Sequence, residues 1–205
     1  ESSQTDGLED AGKRIIGDSA SFNGTEKVWE WPDGRQLKLA GMQLPDDWGK
    51  HAGIERDLYV FDEAGEFLRM QVVSLLGWNR GPEGQRCRIV FASNPPRSSD
   101  GYWLTEWFAP WLDIQYHNPA KPGELRWAFI DHEGVPQWVD GPDVRSSTGA
   151  KPLSFTFIPA ALSDNPYRDT PEYRAKMESL PEPLRSQLRD GDFAAGTVDG
   201  VDQAI

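Results

Sequence analysis

The sequence predicts an α/β fold with a short parallel sheet and additional β-hairpins, and three patterns point to it. Leu58-Tyr59-Val60-Phe61 is an apolar run that ends at two acids, which is typical of a strand buried on both faces of a sheet. A helical pattern follows over residues 67–76, and a second apolar run occupies residues 87–92. Strand, helix and strand in this order predict a βαβ unit with a right-handed crossover.

Composition limits the classes of protein to be considered. The chain has 205 residues and a net charge of -12, so its overall field opposes DNA binding and any nucleic-acid contact has to be local. Its single cysteine, Cys87, fits a reducing compartment. No apolar run approaches the roughly 20 residues of a membrane span, and the first residues lack a signal-peptide pattern. We therefore expect a cytoplasmic protein with no membrane partner.

The residues before the βαβ unit divide into a polar lead-in and a hairpin. Residues 1–21 are rich in Gly, Ser and Asp, and we expect them to be a disordered lead-in. Two alternating stretches, residues 27–31 and 36–40, then flank Asp33-Gly34, which is a strong hairpin signal. The side chains expected on one face of this hairpin are Trp29, Trp31, Leu37 and Leu39.

The region after the βαβ unit is expected to be helical and rich in tryptophan. Asp100 can cap a helix that carries Trp103 and Trp107 and that Pro110 ends. Tryptophans at this spacing could stack on bases, but an aromatic stripe at helical period is more often core, and we favour the core. The composition changes near residues 118–123, so a domain boundary is placed at residue 119.

The remaining residues predict a small α+β region. A second hairpin is expected over residues 125–130 and 135–139 with Pro136 on an edge strand, followed by a strand over residues 153–157. Two helices should begin near Pro171 and Pro183. Their basic residues are interleaved with acids, which favours a charged outer face over a DNA-contacting stripe. Residues 194–205 are expected to be a tail.

Polar side chains follow both strands of the predicted βαβ unit. Asp62 and Glu63 come directly after the first strand, and Ser93 and Asn94 come directly after the second. The carboxyl ends of parallel strands meet at one edge of a sheet, where α/β proteins bind ligands. In nucleotide hydrolases one such acid holds Mg²⁺ and the other activates a water. The alternatives are a helix cap at the acids and a structural Asx-Pro turn at Asn94.

Several segments, taken together and in order, resemble the large terminase subunit of tailed bacteriophages and prophages, the ATPase that packages DNA into a capsid. The matching segments are residues 22–24 with the hairpin over 29–39, 58–64, 93–96, 101–103, 157–160, 164–167, 173–174, 180–182 and 191–193. None of them is specific alone. Their order over residues 22–193 carries the resemblance.

The resemblance implies a fold, a division into domains and a function. It implies a partial ASCE-type, RecA-like ATPase sheet over residues 22–118, a small α+β linker subdomain over residues 119–193, and a tail over residues 194–205 before a nuclease domain. The implied function is a segment of a packaging motor that couples ATP hydrolysis to DNA translocation. The implied partners are double-stranded DNA, the portal protein, the small terminase subunit and further copies of the chain, in the bacterial host cytoplasm.

The resemblance also implies a role for each residue at the strand tips, with ATP and Mg²⁺ as cofactors. Asp62 would be the Walker B acid on Mg²⁺, and Glu63 would activate the attacking water. Ser93 and Asn94 would form the coupling motif, with Ser93 at the nucleotide and Asn94 sensing its hydrolysis.

The chain departs from the family pattern in two respects. No Gly-x-x-x-x-Gly-Lys-[Ser/Thr] occurs in it, so it lacks the loop that cradles phosphates, and no acidic nuclease cluster follows Phe193. We therefore expect a middle fragment of a terminase that does not hydrolyse ATP alone. The alternative is a non-catalytic, tryptophan-rich β binding module of a phage or prophage protein.

Overall fold

The chain separates into two units, residues 1–50 and residues 51–205. The structure is a computed structural model that describes residues 4–195, with side chains from residue 7 onward. Residues 1–3 of the expected lead-in and residues 196–205 of the expected tail lie outside this described part. Within residues 4–195, none of the helices has the length and apolar composition needed to cross a membrane.

The first unit contains one helix and a three-stranded antiparallel sheet. Helix α1 spans Gln4–Ile16, and strands β1 (Ser21–Asn23), β2 (Val28–Glu30) and β3 (Gln36–Lys38) pair in the order β1-β2-β3. The pairing of Val28–Glu30 with Gln36–Lys38 confirms the predicted hairpin. Its turn uses Gly34 at φ 86°, in the left-handed region that suits glycine.

The expectation of a disordered lead-in over residues 1–21 is wrong for the described residues 4–21, because α1 occupies most of that stretch. A Cβ at Gly12 would lie 2.6 Å from the Trp29 ring, so the helix packs closely on a tryptophan that is only 1% exposed. Glu9 also forms ion pairs with Lys13 and Lys27. These contacts join the helix to the hairpin, and local composition gives no sign of them.

The second unit begins with the predicted βαβ unit. Strand β4 (Leu58–Asp62) and strand β5 (Arg88–Ala92) pair in parallel, and helix α2 (Arg69–Leu76) lies between them in the chain. Two short helices follow, α3 (Trp103–Trp107) and α4 (Ala109–Leu112). The helix that carries Trp103 and Trp107 ends before Pro110, as expected. Pro110 lies in the first turn of the separate helix α4, where its missing N–H has no helical partner to lose.

A second sheet and two helices complete this unit. Strands β6 (Arg126–Ile130), β7 (Pro136–Val139) and β8 (Leu153–Phe155) form an antiparallel sheet in the order β7-β6-β8, so Pro136 does lie on an edge strand. Helix α5 (Pro171–Glu178) begins as predicted, because Thr170 Oγ1 accepts the Tyr173 N–H at 3.2 Å. Helix α6 (Leu184–Asp190) ends at Gly191, whose φ is 65°. The described part of the chain is thus a mixed α/β protein with sheets of two or three strands.

An aromatic cluster holds the second unit together. The Phe91 ring lies 5.4 Å from Trp103 and 6.0 Å from Trp107, and Trp107 lies 5.9 Å from Phe155 on the other sheet. The Trp107 indole also donates to the Gly134 carbonyl at 2.7 Å. The interpretation of this tryptophan stripe as core is therefore confirmed. Residues on either side of the boundary expected at residue 119 share this core and lie in one unit.

The expectation that the first strand is buried on both faces is wrong. Phe61 is 5% exposed on the face toward the aromatic cluster, whereas Leu58, Val60 and Val90 are 46%, 57% and 44% exposed on the opposite face. A parallel sheet is usually covered on both faces. In the part of the chain that the structure describes, the face that carries Val60 and Val90 remains largely open.

Replacing Trp107 with alanine should destabilise the protein by about 3–5 kcal/mol, because it removes a fully buried ring and leaves the Gly134 carbonyl without its donor. Ile114→Ala is the control, since Ile114 is 93% exposed. Urea unfolding followed by tryptophan fluorescence measures both. An equal, small loss in the two variants would show that the cluster does not hold this unit together.

Candidate functional site

The candidate site lies at the edge where β4 and β5 end together. The register pairs Tyr59 with Ile89, Val60 with Val90 and Asp62 with Ala92. Glu63 and Ser93 therefore start the two following loops from neighbouring points on the same edge. We call the loop after β4, residues 63–68, the acidic loop, and the loop that begins with Ser93 and Asn94 the Ser93-Asn94 loop. The parallel register thus brings these two loops together, as the sequence predicts.

Hydrogen bonds through the Ser93 hydroxyl join the two loops. The Gly65 N–H donates to Ser93 Oγ at 3.0 Å, and Ser93 Oγ donates to the Asn94 carbonyl at 2.6 Å. The acidic loop is therefore fixed to the loop that carries Asn94. Because both bonds use this hydroxyl, Ser93 has a structural task at the site, and its predicted contact with a cofactor remains a prediction.

Close backbone packing adds a third loop to this edge. A Cβ at Gly101 would lie 2.2 Å from the Gly65 carbonyl oxygen and 2.7 Å from Pro96 Cβ, so only glycine fits there. The Trp103 indole donates to the Phe67 carbonyl at 2.7 Å, which holds the start of α3 against the acidic loop. Sequence reasoning missed Gly65 and Gly101 as site residues, because a glycine's close approach to another loop has no local signal.

Glu63 has an unusual backbone conformation. Its φ and ψ are 51° and 52°, in the left-handed region, and its carbonyl accepts the Glu66 N–H at 2.9 Å. For a residue other than glycine this conformation costs on the order of 1–2 kcal/mol. Among residues 4–195, a positive φ occurs in only one other residue that is not glycine, Lys27 in the first unit. Strain of this kind is concentrated at functional sites, so Glu63 is a residue of interest independently of the sequence motif.

The side chains at the two strand tips differ in exposure and engagement. Asp62 is exposed and Glu63 is half-buried, and neither carboxylate forms a hydrogen bond or an ion pair with the residues that the structure describes. The Asn94 amide is likewise unpaired within that part, and Asn94 lines a cleft together with residues 160–162 and 164–168. Asp62 and Glu63 do not line this cleft.

The residues at this edge offer few ligands to a metal ion or a triphosphate. The free Asp62 carboxylate can supply the kind of oxygen ligand that Mg²⁺ takes from proteins, which often provide only one or two carboxylates. No cluster of three or more metal-ligating side chains occurs among the described residues. The chain also has no phosphate-binding loop, so these residues alone do not form a complete ATP site.

The side chain of Tyr59 lies on the core face of β4, the face that also carries Phe61. Its hydroxyl is buried and makes no hydrogen bond within residues 4–195. Burial raises the pKa of this hydroxyl above its ordinary value, so Tyr59 is neutral at physiological pH. Tyr59 is therefore not a candidate base, and the candidate residues at this edge remain Asp62, Glu63 and Asn94.

Comparisons of this chain with protein-family models, with curated proteins and with solved structures found no match.

Gly101→Ala should lower the stability of the protein by about 1–3 kcal/mol, because the added methyl group collides with the Gly65 carbonyl and Pro96. The matched control is Gly77→Ala, where a Cβ meets nothing within 4 Å and φ is -66°. Alanine there should be neutral or stabilising by about 0.4–1 kcal/mol. Thermal unfolding compares the two variants. Equal melting temperatures would contradict the close packing of the three loops.

Proposed function

We propose that the second unit is the Walker B and coupling-motif part of a DNA-packaging ATPase similar to the large terminase subunit. The observation that carries this proposal is the parallel pairing of β4 with β5, with Asp62 in register with Ala92. It gives the acid pair and the Ser93-Asn94 pair a common edge, as an ATPase of this class requires. The proposed partners are double-stranded DNA, the portal protein, the small terminase subunit and other copies of the chain.

Each residue at this edge has a role in the proposal. Asp62 holds Mg²⁺, which when bound neutralises charge on the phosphates. Glu63 accepts a proton from the attacking water, and the left-handed backbone fixes its position. Asn94 senses the nucleotide, and the Ser93 hydroxyl links its loop to the acidic loop. A shift of one loop on nucleotide hydrolysis would therefore shift the other loop through the Ser93 hydroxyl.

The open face of the sheet supports the proposed fold, which is a partial ASCE-type, RecA-like sheet. Leu58, Val60 and Val90 are large apolar side chains, and each is more than two-fifths exposed. Such residues suit strands that are covered on both faces within a larger doubly wound sheet. In the proposal, further parts of the motor cover this face and supply the phosphate-binding loop.

No observation favours the alternative of a tryptophan-rich binding module. That function expects tryptophan rings exposed to a ligand, as in aromatic binding faces. All nine tryptophans lie in the described part of the chain, and each is buried or half-buried. Trp29, which the alternative would place on a binding face of the first hairpin, is 1% exposed. The packaging-motor proposal therefore stands as the better supported one.

The proposal predicts that the 205-residue chain alone releases no phosphate from ATP, whereas a polypeptide that joins it to a phosphate-binding loop does. The reading frame that encodes the chain should therefore contain Gly-x-x-x-x-Gly-Lys-[Ser/Thr] upstream of Glu1. In the product of that reading frame, Glu63→Gln should lower the rate by about 10²–10⁴-fold, because it removes the general base.

Asp57→Asn is the control for this experiment, because Asp57 precedes β4 at the opposite end of the strand and bonds Gln85. This variant should retain the full rate. A reading frame without the phosphate-binding loop would contradict the proposal. So would a rate that Glu63→Gln leaves unchanged, or phosphate release by the isolated chain that Glu63→Gln abolishes.

A further inference from the structure

A cleft of about 560 Å³ opens beside Asn94 in the second unit. It is lined by Asn94 of the loop after β5, by residues 160–162 and 164–168, and by Tyr173 of α5 and Leu188 of α6. Sites for small ligands typically have volumes of about 300–1,000 Å³. The cleft is therefore large enough for a nucleotide-sized molecule.

The cleft combines an apolar lining with an unusually exposed aromatic ring. Leu162, Pro166 and Leu188 contribute the apolar surface, and Tyr167 at the rim is 91% exposed. The Tyr167 ring has no aromatic or cation–π partner among residues 4–195. An exposed aromatic ring beside a concave surface is suited to stacking on a nucleobase.

The polar groups of the cleft have no partners in the part of the chain that the structure describes. The side chains of Asn94, Tyr167, Arg168 and Tyr173 make no hydrogen bond or ion pair there. They include a guanidinium group, an amide and two phenols, all of which can donate hydrogen bonds to a phosphate. Four unengaged donors on one cleft suggest a ligand that carries an anionic oxygen group.

The other arginines of this region differ from Arg168. Arg174, Arg185 and Arg189 form ion pairs with Asp169, Glu182 and Asp190, respectively. Hydrogen bonding from Arg174 lowers the pKa of Asp169, so that pair stays charged at neutral pH. These three arginines are neutralised within the fold. Arg168 is not, and it lies on the cleft.

Two features oppose binding of an anion in the cleft, the Asp164 carboxylate and the net negative charge of the chain. Asp164 lines the cleft, but its carboxylate accepts the Ala161 N–H at 2.8 Å and is engaged in the turn. The net charge of -12 reduces affinity for any phosphate and makes binding depend on salt.

Asn165 adds a further hydrogen-bond donor to the cleft. Its Oδ1 accepts the Tyr167 N–H at 3.2 Å, which leaves the side-chain NH₂ group as a donor.

We propose that this cleft binds a nucleotide unit, with the base against Tyr167 and the phosphate at Arg168 and Asn94. Asn94 takes part in both proposals, but Asp62 and Glu63 do not line the cleft, so this proposal does not rest on the roles proposed for the two acids. Two sources share this chemistry, a free nucleotide and one strand of DNA.

The test measures binding of the 205-residue chain to two probes at low salt with EDTA present. The probes are ATP, followed by calorimetry, and a fluorescein-labelled oligothymidylate, followed by anisotropy. At least one probe should bind with a dissociation constant of about 10⁻⁴–10⁻⁶ M. Tyr167→Ala and Arg168→Gln should each weaken that binding about tenfold. Both side chains are exposed, so circular dichroism should show unchanged folding.

The matched control is Lys176→Gln, which removes the same charge from an exposed residue of α5 that does not line the cleft. It should leave affinity nearly unchanged, and Tyr167→Phe should retain it because the ring remains. Loss of ATP binding in the cleft variants assigns the free nucleotide, and loss of oligothymidylate binding assigns the strand. Because EDTA removes the Mg²⁺ that Asp62 would hold, binding under these conditions reports on the cleft and not on the acid pair.

Three results would overturn the proposal. The first is that neither probe binds, and the second is that Tyr167→Ala and Arg168→Gln leave binding unchanged. The third is an equal loss in Lys176→Gln, which would show that only the general charge of the surface matters.

Discussion

The parallel pairing of β4 with β5 is the interaction on which the candidate site depends. Because Asp62 is in register with Ala92, the acidic loop and the Ser93-Asn94 loop leave the sheet at one edge. An antiparallel pairing would place the two loops at opposite ends of the strands. The Ser93 hydroxyl and the close contact at Gly101 then hold the loops at a fixed separation. The chemistry proposed for the site follows from this arrangement.

A two-stranded parallel sheet is a weak scaffold by itself, and the aromatic core compensates on one face only. Phe91 packs against Trp103 and Trp107, and Trp107 continues the contacts to Phe155 of the antiparallel sheet. The opposite face, with Val60 and Val90, remains open among the described residues. Stability in the second unit therefore comes from the side of the sheet that faces the aromatic cluster, and the open side is the one that the proposed function assigns to contacts with further parts of a motor.

Periodicity and turn chemistry predicted most elements of this fold, because the signals are local: the Asp33-Gly34 hairpin, the βαβ unit, and the caps at Thr170 and Gly191. The misses depend on contacts between distant residues. Helix α1 packs closely on Trp29 through Gly12, and no local pattern contains that contact. The common edge of Asp62, Glu63, Ser93 and Asn94 was also predictable, because the carboxyl ends of parallel strands meet at one edge of a sheet. The roles of Gly65 and Gly101 in joining the loops, and the unpaired groups along the cleft, became visible only in three dimensions.

The parallel register of β4 and β5 can be tested by cysteine cross-linking in a Cys87→Ser background. Asp62→Cys with Ala92→Cys places thiols on facing residues, about 4.8 Å apart between Cα atoms and within the range for a disulfide. Asp62→Cys with Val90→Cys places them two residues out of register, at about 8 Å. The account predicts rapid oxidation of the first pair and none of the second. Equal cross-linking, or preference for the second pair, would contradict it.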